Sequence, residues 1–156
     1  MRKRIIDSNQ NMSTDSGAWL DLENLAQVEV TSEDAAYPIE AALIPRTGSG
    51  WRAAEPGPQT LRVLFDQPQK IRRIRLAFQE NRQQRTQEFT VRWSSDGGKS
   101  YRQIVRQQYN FSPPDTTYEL EDYAVDLAAM SVLEVNIVPD ISGRHAQASV
   151  AELRLA

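Results

Sequence analysis

Hydrophobic and polar residues alternate along most of the chain from residue 26 onward, and a period of two is typical of half-buried β-strands. In one such segment Phe89, Val91 and Trp93 alternate with Thr90 and Arg92. Similar segments occupy residues 61–65, 74–78, 101–105, 118–120, 123–127, 133–137 and 150–155. Several short strands with turn residues between them predict an all-β fold, either a sandwich or a barrel.

The segments between the predicted strands differ in length. Residues 66–69, which include Pro68, predict a turn, and Asp96-Gly97 within residues 94–99 predicts a hairpin. Residues 45–59 and 107–117 predict two longer loops, and long loops on a rigid sandwich are common binding sites. Helical signals are confined to one or two turns, at residues 19–25 and 38–43 near the N-terminus.

The N-terminal residues differ from the rest of the chain. Residues 1–6 are basic with two isoleucines, and the polar residues after them provide no apolar core for a signal peptide. We expect residues 1–17 to form a polar, flexible tail and residues 18–156 to form one domain. No apolar stretch is long enough to span a membrane, so we expect a cytoplasmic protein.

Composition argues against most classes of enzyme. The 156 residues include no cysteine and one histidine, His145. The lack of cysteine excludes disulfides, thiolate metal sites and a cysteine nucleophile. A single histidine excludes metal sites that need two imidazoles. We therefore expect a protein that is not an enzyme and that needs no cofactor or metal.

Two possible motifs do not meet the requirements of their chemistry. A Ser–His–Asp site would have to combine His145 with Asp140 and a nearby serine, but the sequence has no nucleophile elbow. Gly98-Lys99-Ser100 is similar to the end of a phosphate-binding P-loop. However, Trp93 stands where that motif requires its first glycine, and a strand follows instead of a helix.

Charge is distributed unevenly along the chain. The formal net charge is −3, but residues 61–106 carry +7 between the acidic segments 7–60 and 107–156, which carry −7 and −6. A basic centre could bind an anionic ligand such as an acidic sugar, a phosphate or nucleic acid. Cross-strand ion pairs between basic strands and acidic neighbours are the simpler interpretation, and the one we favour.

Three predicted loops carry side chains suited to ligand binding. Tyr109 and Phe111 lie among amides in the proline-rich loop 107–117, and such rings either stack on a ligand or close the end of the sandwich. Trp51 lies next to Arg52, although a tryptophan that enters a strand usually belongs to the core. The full set of candidate ligand-binding residues is Trp51, Arg52, Arg85, Tyr109, Phe111, Arg144 and His145.

These features together resemble the discoidin domain, also called the coagulation factor 5/8 type C domain, of the galactose-binding-like superfamily. The resemblance covers about residues 18–156. It lies in the opening strand at 28–32, the turn 38–43 before Trp51, the strands at 61–66 and 71–76, and the closing strand at 151–155. The most specific element is the strand 89–94 followed by Ser95-Asp96-Gly97-Gly98 and Tyr101.

This resemblance implies an eight-stranded jelly-roll sandwich without catalytic activity, in which loops at one end bind a sugar, a phospholipid head group or a protein. The chain departs from the family in lacking the disulfide of many extracellular members. Many members also have an Asn-x-x-Asp-Gly run whose aspartate helps to hold a structural calcium, and the corresponding run here, residues 42–46, lacks that aspartate. We expect Arg46 to pair with Glu152 in place of calcium, since a guanidinium can bind a carboxylate without a metal.

The sequence thus predicts a non-enzymatic binding module whose ligand is a carbohydrate or a carbohydrate-like molecule. The aromatic residues would stack on sugar rings, while the arginines and His145 would bind hydroxyls or an acidic group. A protein-interaction scaffold is the main alternative. Nucleic-acid binding through Arg72, Arg73, Arg75, Arg82 and Arg85 is the least favoured, because the flanking segments are acidic. The sequence does not determine the oligomeric state.

Overall fold

The computed structural model describes residues 19–45 and 49–156. Two one-turn helices lie near the N-terminus, α1 (Leu22–Leu25) and α2 (Glu40–Leu43). The strands are β1 (Ala26–Val30), β2 (Trp51–Arg52), β3 (Gln59–Gln79), β4 (Arg85–Ser94), β5 (Arg102–Phe111), β6 (Tyr118–Val138), β7 (Ser149–Val150) and β8 (Glu152–Leu155). The predicted all-β jelly roll with two short helices is therefore confirmed.

All strand pairs are antiparallel, and the order across the main sheet is β1-β3-β6-β4-β5. Strands β3 and β6 each have 21 residues and belong to both layers of the sandwich. The first part of β3 pairs with β1 and the end of β6, whereas its second part pairs with β8 and the start of β6. Strands β2 and β7 form a separate two-stranded sheet.

The predicted turn at residues 66–69 was wrong, because β3 continues through this segment. The register between β3 and β6 shifts between Leu64 and Gln69 and again before Arg73. Such irregularities let one strand bend from one layer into the other. For the same reason the segments predicted as separate strands at 118–120, 123–127 and 133–137 are parts of β6.

The core lies between the two layers, and it contains the apolar residues of each alternating segment. Leu61 and Val63 face inward from one layer, and Ile74, Leu76 and Phe78 face inward from the other. The rings of Phe78 on β3 and Phe89 on β4 lie 4.9 Å apart between centroids. Alternation in the sequence therefore corresponds to alternation between core and solvent, as expected for a sandwich.

Cross-strand ion pairs with acidic neighbours, the interpretation that we favoured, neutralise part of the basic centre of the chain. Arg62 binds Glu29 on one side, at 3.5 Å, and Glu134 on the other, at 2.8 Å, and Arg92 also binds Glu134. On the other layer Asp122 binds both Arg73 and Arg75, at 2.7 and 3.1 Å.

Candidate ligand-binding cleft

A polar cleft opens at the end of the sandwich where β3 leads into β4. It consists of two adjoining hollows of about 230 and 200 Å³. Both hollows are lined by Arg52, Gln79, Glu80, Arg82 and Ser149. Tyr37 and Asn81 line only the first hollow, whereas Gln83 and Gln147 line only the second. A concave surface with convergent polar groups is the usual form of a small-molecule site.

Backbone hydrogen bonds fix one wall of the cleft. Arg52 pairs with Ser149 in the β2–β7 sheet, its N–H donates to the carbonyl of Tyr37 at 3.1 Å, and its carbonyl accepts from the N–H of Asp34 at 2.8 Å. The Arg52 guanidinium lies 4.9 Å from the centroid of the Tyr37 ring. This cation–π contact positions the charge at the cleft wall without neutralising it.

The opposite wall is the connection between β3 and β4, residues 80–84. The Glu80 carboxylate accepts a hydrogen bond from the N–H of Arg82 at 3.0 Å and another from Nε of Arg85 at 2.7 Å. Burial opposes ionisation of Glu80, but these hydrogen bonds hold its pKa below the ordinary value. Glu80 is therefore a carboxylate whose charge the buried Arg85 guanidinium compensates.

The remaining cations of the cleft have no such partner. Among the described residues, neither Arg52 nor Arg82 has a carboxylate within ion-pair distance. Arg82 is exposed and Arg52 is half-buried. With Glu80 compensated by Arg85, two unpaired guanidiniums give the cleft a positive potential.

Arg52 is the one predicted residue whose side chain faces this cleft from a half-exposed position. Trp51 lies beneath it and is only 1% exposed, with its indole N–H donating to the carbonyl of Ser32 at 3.0 Å. The predicted stacking of Trp51 on a ligand was wrong, since only 1% of its surface is exposed although it borders the first hollow. Trp51 instead belongs to the core, which is usual for a tryptophan that enters a strand.

Arg85 and Phe111 are also buried, at 1% and 0% exposure, so the prediction that they contact ligand was wrong. The Arg85 guanidinium lies 4.8 Å from the centroid of the Phe111 ring. Tyr109 packs edge-on against Phe111 and donates its hydroxyl to the carbonyl of Tyr118 at 3.0 Å. The segment 107–111, predicted as part of a loop, is the end of β5, so these rings close the sandwich.

Arg144 and His145 are exposed on the loop before β7, next to the second hollow. The carbonyl of His145 accepts a hydrogen bond at 3.0 Å from the Gln83 side chain, which lines that hollow. Nη1 of Arg144 donates to the carbonyl of Gln84 at 3.4 Å. Both residues stand beside the cleft, and their proposed contacts with ligand stay predictions.

Several cleft residues were missed by sequence reasoning, namely Tyr37, Gln79, Glu80, Asn81, Gln83, Gln147 and Ser149. The sequence does contain a signal for some of them. Residues 80–84 are five consecutive polar residues between two strongly alternating segments, which is typical of an exposed connection.

The structure describes only one partner of the predicted Arg46–Glu152 ion pair. Arg46 lies outside the described residues, so its pairing with Glu152 stays a prediction. The Glu152 carboxylate lies 3.8 Å from Nε of Arg154, and Nη1 of Arg154 donates to the carbonyl of Ala42 at 2.7 Å. In the described part of the chain, no three His, Asp or Glu side chains are grouped so that they could hold a metal ion.

The set of arginines considered for nucleic-acid binding does not form one basic face. Arg73 and Arg75 share Asp122, and their guanidiniums lie 4.7 and 5.0 Å from the centroid of the Trp19 ring. Arg85 is buried.

Within residues 19–45 and 49–156, no helix has the length and apolar character that crossing a membrane requires.

Comparison of the sequence with known families matches residues 27–153 to the F5/8 type C domain. A search of curated proteins finds no significant match.

Solved structures with the same fold include several carbohydrate-binding modules. The family 32 module of C. perfringens NanJ, in complex with galactose, is 13% identical with a TM-score of 0.66, covering 88% of this chain and 96% of that chain. A pectin-binding module is 15% identical with a TM-score of 0.62, covering 85% and 90%. The family 32 module of AlyQ, in complex with 4,5-unsaturated mannuronic acid, is 15% identical with a TM-score of 0.59, covering 85% and 95%.

Proposed function

The chain belongs to the F5/8 type C domain family, and we propose that it is a non-catalytic carbohydrate-binding module that selects sugars bearing a carboxylate. The observation that carries this proposal is the pair of unpaired guanidiniums, Arg52 and Arg82, in one concave polar cleft. A guanidinium binds a carboxylate through two parallel hydrogen bonds, which gives both affinity and orientation.

The other groups in the cleft suit the hydroxyls of a sugar. The side chains of Gln79, Asn81 and Gln83 each offer both a donor and an acceptor, and Gln147, whose Nε2 already donates to the carbonyls of Ala53 and Ala54, offers its oxygen as an acceptor. Tyr37 adds aromatic surface beside Arg52. Similarity of fold to modules that bind galactose, pectin and an unsaturated mannuronic acid supports a carbohydrate ligand.

Binding without hydrolysis is the activity that the cleft supports. Glycoside hydrolysis usually needs two carboxyl groups on either side of the scissile bond. Among the described residues that line the cleft, Glu80 is the sole carboxylate, and its lowered pKa and its ion pair with Arg85 make it a poor proton donor.

A glycan array with matched neutral and acidic sugars tests the proposal. We expect binding to oligomers of galacturonic or mannuronic acid and much weaker binding to galactose or mannose oligomers. The affinity for the acidic sugars should fall as ionic strength rises, since the cleft is open to solvent. Equal binding of the neutral and acidic series would contradict the selection for a carboxylate.

Substitutions locate the binding to this cleft. Arg52→Gln and Arg82→Gln should each weaken binding of the uronic acid about 10-fold or more, because each removes a charged hydrogen bond. Arg102→Gln is a matched control. Arg102 is also exposed and without an ion pair in the described residues, and it pairs with Trp93 at the far end of β4, roughly 25 Å from Arg85. Isothermal titration with thermal melts of each variant separates lost contacts from lost folding.

A failure of every glycan would instead favour the protein-interaction scaffold that the sequence left open. A pull-down from the native host, with the Arg52→Gln and Arg82→Gln variants beside the wild type, would then test that alternative. The cytoplasmic location expected from the sequence stays a prediction.

A further inference from the structure

An exposed aromatic ring lies directly beside the polar cleft, although it does not line either hollow. Tyr118 begins β6 and pairs with Gln79 at the end of β3. Residues that are paired across antiparallel strands place their side chains on the same face of the sheet. Gln79 lines both hollows, and the Tyr118 side chain leaves the same face of the sheet one strand spacing, about 4.8 Å, from Gln79.

The exposure of this ring is unusual for the molecule. Tyr118 is 47% exposed and Leu120, two residues along the same strand, is 52% exposed. In the described part of the chain the only other large hydrophobic residue with such exposure is Ile141. Tyr118 and Leu120 therefore form a short apolar strip that begins at the cleft and leads away from it.

Two further hydrogen bonds hold the backbone at Tyr118 in place. The N–H of Glu80 donates to the carbonyl of Thr117 at 2.8 Å, and the Tyr109 hydroxyl donates to the carbonyl of Tyr118 at 3.0 Å. Within the described residues the Tyr118 hydroxyl itself makes no hydrogen bond. Tyr118 is thus held on a fixed backbone with about half of its surface and its hydroxyl available to a ligand, which reduces the entropy lost on binding.

We infer that Tyr118 forms a second sugar subsite, so that the ligand is an oligosaccharide of at least two residues. This inference rests on the proposed function. One acidic sugar occupies the cleft between Arg52 and Arg82, and the sugar linked to it extends over Gln79 and packs its apolar face on Tyr118. A ring with an apolar face and polar edges matches an exposed tyrosine next to a side-chain amide.

Chain length is the variable that tests the second subsite. Binding of galacturonic acid and mannuronic acid is compared with binding of their dimers and trimers by isothermal titration, using the full chain. For the wild type we expect the dimer of the preferred sugar to bind about tenfold more tightly than the monomer, as one aromatic contact provides.

Tyr118→Ala should remove this gain and leave the affinity for the monomer unchanged. Tyr118→Phe should keep most of the gain, since it retains the ring. Ile141→Ala is the matched control, because it removes an equally exposed apolar side chain that is not paired with a cleft residue. Thermal melts of the exposed-site variants should coincide with that of the wild type.

The possible failures are distinguishable. If the dimer-to-monomer ratio is the same in the wild type and in Tyr118→Ala, while Arg52→Gln still abolishes binding, the subsite is overturned and the proposed function stands. If no uronic acid of any length binds to the wild type, the proposed function is overturned and the subsite with it.

Discussion

Behind the polar cleft, hydrogen bonds link three buried polar residues that join the two layers of the sandwich. Arg85 donates Nη1 to the Gln87 side chain at 3.2 Å, and Gln87 donates to Glu119 at 3.3 Å. All three residues are at most 1% exposed. Within the part of the chain that the structure describes, one oxygen of Glu119 and Nη2 of Arg85 have no hydrogen-bond partner. A buried group without full hydrogen bonding is costly when charged, so Glu119 should be sensitive to pH.

Burial, together with the nearby Glu121 carboxylate, raises the pKa of Glu119 to about 7 from an ordinary 4.5. The folded protein therefore holds this proton more tightly than the unfolded chain does. The resulting stabilisation is complete below about pH 4.5 and is lost as the pH rises through 7.

Glu119→Gln should remove that dependence on pH. At pH 8 we expect the variant to have a free energy of unfolding about 2–3 kcal/mol above that of the wild type, while at pH 4 the two should agree. Denaturant titrations at both pH values measure the difference. Glu55→Gln, at an exposed position, is the control and should change neither value. A constant difference between Glu119→Gln and the wild type at both pH values would refute this explanation.

At the level of elements, the short β2–β7 sheet decides where Arg52 stands, and Gly50 lets that sheet form. Gly50 has a φ of +86°, and a Cβ at this position would lie 2.6 Å from the carbonyl oxygen of Val150 and 2.8 Å from the Cα of Ala151. Both contacts are with backbone that cannot move aside without breaking the pairing of β2 with β7. The cleft wall therefore requires glycine for two reasons, its conformation and the close approach of the two strands.

Gly50→Ala and Gly57→Ala form a matched pair that separates these two reasons. Gly57 has a φ of +87°, but a Cβ at this position would meet no atom within 4 Å, so its substitution costs only the conformational penalty. That penalty is about 1 kcal/mol, and Gly50→Ala should cost about 1–3 kcal/mol more because of the clash. Gly50→Ala should also weaken sugar binding, which Gly57→Ala should not. Equal losses of stability in denaturant titrations would show that the close approach does not matter.

The sequence predicted the elements better than it predicted their ends. Alternation identified both halves of β3, because each half has one buried face. The alternation did not predict that residues 66–69 remain part of a strand. A proline among polar residues is as common in a turn as in a strand that bends from one layer into the other. Residues 107–111 belong to β5, whereas the sequence predicts a loop there. Amide side chains stand on both sides of Tyr109 and before Phe111, so the alternation of apolar and polar residues is weak.

For the molecule as a whole, the question is whether a metal contributes to stability. Among the described residues no three carboxylate or imidazole groups lie close enough to hold a metal ion, and Arg154 donates to the carbonyl of Ala42. Arg154 is largely buried, and burial lowers its pKa below the ordinary value, although the nearby Glu152 carboxylate opposes this shift. A fixed guanidinium thus connects α2 to the last strand, β8, without a metal.

We expect the melting temperature of the whole protein to be the same with millimolar calcium as with a chelator. Arg154→Met, in contrast, should lower it, because the carbonyl of Ala42 loses its donor. Differential scanning calorimetry under the two conditions measures both effects. A rise of several degrees with calcium in the wild type would contradict the prediction.

The sequence by itself determined the class of fold, the two short helices and the cross-strand ion pairs of the basic centre. These follow from local periodicity and from charge, which depend on near neighbours along and across strands. The family resemblance rested on the same patterns together with the Ser95-Asp96-Gly97 turn, and the match over residues 27–153 confirms it.

Only the tertiary structure decided which side chains meet. Trp51, Arg85 and Phe111 are attractive binding residues in a sequence, yet all three are buried. Arg52, Arg82 and Tyr118 come from three separate strands or connections and are brought to one end of the sandwich only because β2 and β3 end there and β6 begins there. The periodicity of a strand predicts which face a residue occupies. Whether that face is exposed, and which other side chains lie beside it, depends on how segments distant in the sequence pack.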